Sequence, residues 1–205
     1  MAGAAGSAAV ELYWIPLGAG NPVVQASGRV FERLSAWRHH RQPFDLYHVA
    51  LQVQAPQGRF AIEQAPVPDR NGAARGVVAE GPVGLRVAGR LRVFRYEIRC
   101  WRDGTIPDVA FAVDSPVDVS ADPDVATRVI AELPGVPTPV WGRDEAGTGD
   151  MWNSNSIMSW VLTRSGVDTE RLEPPAGGRA PGWAAGRTAA LEGLAGAAPS
   201  SGAIP

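Results

Sequence analysis

Two alternating runs that mirror each other across a short turn constrain this chain more than any other feature. Residues 46–54 (LYHVALQVQ) and 59–65 (RFAIEQA) flank Pro56-Gln57-Gly58, and period-two alternation on both sides of a Pro/Gly turn specifies an antiparallel hairpin. Setting Ala55 opposite Gly58 brings Val53 to Phe60, Leu51 to Ile62 and Val49 to Gln64, which makes one face mostly apolar. The other face carries His48, Ala50, Gln52, Ala61, Glu63 and Ala65. A sheet of this kind needs its cover on the apolar side, so the expected class is α+β, a mainly antiparallel sheet with helices packed at one side.

The flanking sequence supplies the other elements. Residues 10–17 (VELYWIPL) read as a strand, and Val30, Phe31, Leu34 and Trp37 mark one face of a helix from about Ser27 to His40. That helix ends in Arg38-His39-His40-Arg41, cations that complement its dipole. Residues 66–89 are loop, with one short strand near 76–79. From 91 to 101 a further strand places Phe94, Tyr96, Ile98 and Cys100 on a core face, opposite Arg95, Glu97 and Arg99. Asp122-Pro123 opens a helix bearing Val125, Val129, Ile130 and Leu133, which Pro134 ends. A last helix spans about 154–164, with Gly166 as its stop. Residues 1–170 form the expected single domain. Residues 171–205, rich in Ala, Gly and Pro, form a partly disordered tail whose last ten or so residues are disordered and whose Trp183 packs back.

Composition removes several function classes. All 19 basic residues are arginine, which excludes Schiff-base chemistry, pyridoxal phosphate attachment and a P-loop lysine. Against 21 acidic residues that charge is nearly balanced, so no global field draws nucleic acid or anionic lipid, and no nucleic-acid partner is expected. The one cysteine, Cys100, forms neither an internal disulfide nor a multi-cysteine zinc site, and among aromatics on a core face its thiol is inert packing. Residues 1–10 lack a basic start followed by a long apolar run, and no stretch reaches membrane-spanning length. A cytoplasmic chain without a membrane span, cofactor or metal is the expectation; His39 and His40, adjacent on a helix, point apart.

Chemistry concentrates in residues 152–162 (WNSNSIMSWVL), where four small polar residues open an apolar helix. Such side chains accept from the unpaired N–H groups of a first turn. The same turn, with its dipole, is also a favoured seat for a nucleophile facing a developing negative charge. A histidine on an early strand, followed much later by a polar-headed helix, resembles the circularly permuted NlpC-type papain-fold hydrolases, the branch that includes the lecithin retinol acyltransferase-like enzymes. In that family the helix opens with Asn-Cys. Here Asn153-Ser154 stands in its place, with Ile157 after it, His48 matching the histidine and Glu63 the residue that orients it.

The resemblance implies a permuted papain-like fold and a hydrolase or acyltransferase acting on an amide, ester or thioester, with a small-molecule, peptide or acyl substrate. Ser154 would be the nucleophile, His48 the base, Glu63 the orienter, and Asn153 a group near the oxyanion. Serine in place of cysteine changes the requirement, because a hydroxyl stays protonated and needs a base held in the right tautomer. On the hairpin register Glu63 sits diagonally from His48, within reach of a long side chain. The competing class is a non-catalytic ligand- or partner-binding protein on the same fold with a degenerate nucleophile position. A third is partner binding through exposed tryptophans such as Trp141 and Trp152. The sequence assigns no oligomeric state.

Overall fold

The computed structural model describes residues 9–19, 22–67 and 76–193, without the side chains at 22–24 and 27. Its strands are β1 (Val10–Pro16), β2 (Asp45–Ala55), β3 (Gly58–Val67), β4 (Val77–Pro82), β5 (Arg95–Arg102), β6 (Val113–Ser120) and β7 (Gly178–Arg179). They form one sheet in the order β4-β5-β3-β2-β1-β6, each neighbour antiparallel to the next. The short β7 runs parallel to the start of β2. The hairpin register is the expected one: Ala55 faces Gly58, Val53 faces Phe60 and Leu51 faces Ile62.

Period two then sorts the side chains. Leu12, Trp14, Val49, Leu51, Val53, Phe60, Ile62, Tyr96, Ile98 and Cys100 share the buried face. Against it pack α2 (Pro123–Glu132) through Val125, Ala126 and Val129, and α3 (Ser154–Arg164) through Ile157, Met158, Val161 and Leu162. Asp122 caps α2 by accepting the Asp124 amide at 2.8 Å, and Pro123 sits at a first-turn position, where its missing N–H has no intrahelical partner to lose. The reverse face of the sheet holds a smaller apolar set, Ile15, Ala50, Ala61 and Ile106. The fold is α+β, a mainly antiparallel sheet with helices packed at one side, and no described helix is long and apolar enough to cross a membrane.

Several elements depart from the sequence reading, each for a local reason. β5 starts at Arg95, because short 3-10 turns at Ala88–Arg90 and Arg92–Phe94 take up the preceding residues and leave Phe94 exposed rather than in the core. β6 has a polar, proline-bearing sequence, and it becomes a strand by pairing with β1. The segment read as a tail contains α4 (Trp183–Leu191), with Ala185, Ala189 and Ala190 buried, so the domain extends past residue 170. Trp183 does pack back: its ring lies 5.4 Å from that of Trp14, and its Nε1 donates to the Thr169 carbonyl at 3.1 Å. The last ten or so residues, expected to be disordered, lie outside the described residues. Helix α1 (Pro22–Arg38) starts earlier than its periodicity indicated, and the Val30, Phe31, Leu34, Trp37 face is exposed.

Candidate functional site

At the head of α3 nearly every small polar side chain has a structural partner. Asn153 is the N-cap: its side-chain Oδ1 accepts the Asn155 backbone amide at 2.9 Å, while Ser156 Oγ accepts the Asn153 backbone amide at 3.1 Å, a reciprocal capping box. The other contacts reach outward. Asn153 Nδ2 and Asn155 Nδ2 donate to the Pro181 carbonyl at 2.9 and 2.8 Å, and Asn155 Nδ2 also reaches the Tyr47 carbonyl of β2 at 2.9 Å. Ser156 Oγ donates to the Gly182 carbonyl and Ser159 Oγ to the Trp183 carbonyl, each at 2.8 Å. These bonds tie α3 to β2 and to the start of α4. The two helices meet so closely that a Cβ on Gly186 would lie 1.9 Å from the Ser156 carbonyl oxygen. Ser154, the first helical residue, is half-buried, and its hydroxyl takes part in none of these hydrogen bonds.

His48 points the other way. On β2 the neighbouring Tyr47 and Val49 belong to the core beneath α3, so alternation turns His48 to the reverse face. There it lines a cavity of about 340 Å³ with Glu63, Gln64, Arg99, Ile106, Pro107 and Asp108. Arg99, 3% exposed, is held between two carboxylates, with Nε 2.7 Å from Glu97 and a terminal nitrogen 3.3 Å from Glu63. Burial lowers the basicity of His48 below its ordinary value, although the nearby Asp108 charge acts in the opposite sense. At neutral pH the imidazole is therefore uncharged, with one donor and one acceptor nitrogen.

The four expected site residues thus fall into two pairs. His48 and Glu63 share the cavity wall, as their common strand face required. Asn153 and Ser154 belong to the turn on the α3 side, and Ser154 shares no hydrogen bond with His48. The resemblance implies His48 as base to Ser154 and Asn153 at an oxyanion; none of the described hydrogen bonds links these side chains, and α3 packs on the face of β2 that His48 leaves. Glu63 takes Arg99 as its ion-pair partner.

Sequence reasoning had not attached Arg99, Glu97 or Asp108 to this site. The polar alternation of β5 was legible, but not that β5 lies beside β3, where Arg99 stands directly opposite Glu63. Cys100, on the buried face, has its thiol pushed up to about 12 by burial, consistent with inert packing. Trp152 is buried, which removes it from any interface, whereas Trp141 lies at the surface. Comparisons of the chain with protein-family models, with curated proteins and with solved structures returned no match.

Proposed function

We propose that this domain binds a small ligand in the cavity beside His48 and does not use Ser154 as a nucleophile. Of the permuted papain-like resemblance, the order in the chain, His48 on β2 before a helix with an Asn-Ser head, is what supports the non-catalytic version with a degenerate nucleophile position. The opposite facing of the two residues speaks against a shared catalytic site. The observation that carries the binding reading is the buried Glu97–Arg99–Glu63 system, of which Arg99 and Glu63 line the cavity. A buried ion pair costs desolvation unless its geometry and hydrogen bonds offset that cost, and concave sites with a few fixed polar groups are where ligands bind.

Charge narrows the ligand. Among the described residues, Arg99 pairs with two carboxylates, His48 is uncharged, and Asp108 adds a further anion. The walls between them, Ala50, Ala65, Pro66 and Ile106, are apolar. A short organic cation fits this combination. Titration with butylammonium, followed by the His48 ring resonances in NMR, is expected to give a saturable shift that Asp108→Asn weakens, while butyrate gives none. A fluorophosphonate probe is expected to leave Ser154 unlabelled. Labelling at Ser154, or no saturable response to butylammonium, would overturn this reading.

A further inference from the structure

Helix α1 is fastened to the domain by its polar side. Glu32, 2% exposed, pairs with Arg41, lies 3.4 Å from Arg179 and accepts the Phe44 amide at 2.9 Å. Burial alone would raise its carboxyl, but the hydrogen bonds from Arg41 and the Phe44 amide, with the Arg41 and Arg179 charges, outweigh burial and hold it below the ordinary value. Ala36, one turn on, is buried beside it.

With Glu32 turned inward, a rotation of about 100° per residue turns positions 30, 34 and 37 outward. Their exposures agree: Val30 57%, Leu34 63% and Trp37 79%, with Phe31 beside them at 37%. Arg33 borders this ridge on one side, and Arg38 stands on the other between Leu34 and Phe31, both exposed, while Arg29 lies nearer the inward side and lines a pocket with Glu32. The single carboxylate of the helix is the buried Glu32. The outward face is therefore an apolar ridge between the permanent cations Arg33 and Arg38, with no anion of its own.

We propose that α1 is a docking helix for an anionic lipid surface, lying in the plane of the headgroups with Val30, Phe31, Leu34 and Trp37 toward the acyl chains. Charge complementarity on both borders carries this assignment, since a planar sheet of phosphates against the ridge meets Arg33 and Arg38 together. Guanidinium groups bind phosphate bidentately, and their long stems let them reach headgroups while the ridge sinks deeper. An indole at the boundary between apolar and aqueous phases is a favoured placement. The chain carries 19 basic against 21 acidic residues, so the attraction is a property of this face and orients the domain on the surface.

The test is co-sedimentation of the full chain with phosphatidylcholine vesicles, with and without phosphatidylglycerol. Because one arginine near such a surface contributes about a fivefold gain, partitioning onto the anionic vesicles is expected to be at least about tenfold stronger, and to fall with added salt. Leu34→Glu with Trp37→Glu is expected to abolish binding while leaving the circular dichroism and melting temperature unchanged, because both side chains lie outside the core. Arg33→Gln with Arg38→Gln is expected to remove the preference for anionic lipid. Equal partitioning of parent and Leu34/Trp37 variant would overturn the proposal. So would failure of the parent to bind vesicles, including the case where the ridge instead joins two copies into a dimer that the Leu34/Trp37 variant dissociates.

Discussion

Helices α1 and α3 are built on opposite plans. In α3 the apolar residues Ile157, Met158, Val161 and Leu162 enter the core, and its polar head is consumed by caps and by carbonyls of β2 and of the approach to α4. In α1 the inward contact is the ion-paired Glu32, and the apolar ridge faces outward. Periodicity specifies a helix and an apolar face in each sequence, but the direction of that face depends on partners far along the chain. Arg179, for instance, reaches Glu32 across 147 positions. An amphipathic pattern therefore identifies a helix more securely than it identifies a core.

The largest expected effect follows from that inversion. Ile157→Ala should cost about 3 kcal/mol in a denaturant titration, through lost burial and the cavity left behind, whereas Leu34→Ala should change stability by less than about 0.5 kcal/mol. A comparable loss at both positions would mean that the α1 ridge is covered. A smaller contrast lies within the α3 turn. Asn155→Ala removes donors to the Tyr47 and Pro181 carbonyls and should cost about 2 kcal/mol, while Ser154→Ala should stay within about 0.5 kcal/mol. The reverse ranking would make Ser154 the structural residue and reopen the role of its neighbours.

Much of the architecture near the hairpin was legible because it is local. The β2–β3 register follows from alternation around one turn, and the start of α2 from Asp122-Pro123. The start of α3 at Ser154 follows from the Asn153 cap. The elements that escaped are set by distant partners: β6 has little apolar character and exists through β1, and α4 has small residues because Gly186 must approach the Ser156 carbonyl. The site divides the same way. That His48 and Glu63 share a face could be read from period two within one hairpin. That α3 packs on the opposite face, and that Arg99 meets Glu63, required the order β5-β3-β2 and the seating of the helix, neither of which any short segment encodes.

A weaker effect, specific to the cavity, comes from pH. Burial depresses the basicity of His48 in the folded chain from its ordinary value of 6.5, so below that pH the unfolded chain binds the proton more readily than the folded one. This contribution to stability is present above about pH 6.5 and is lost as the pH falls toward the folded-state value. His48→Gln should flatten the acid side of the stability profile relative to the parent, measured by urea titrations at stepped pH. An unchanged slope would mean that the imidazole is as hydrated in the folded chain as in the unfolded one.

The α3 turn packs on one face of β2 and His48 points from the other, and a thiol placed at position 154 reads that separation directly. In a Cys100→Ser background, which removes the native thiol, Ser154→Cys gives a single group whose ionisation is followed by its alkylation rate against pH. The helix terminus acts on that thiol whether or not His48 is near. Adding His48→Gln isolates the histidine. The thiol should titrate at the same pH in both proteins, to within about 0.3 unit, because the imidazole lies on the other face of β2. A rise of about one unit or more on removing His48 would place the two side chains in one site and contradict the account.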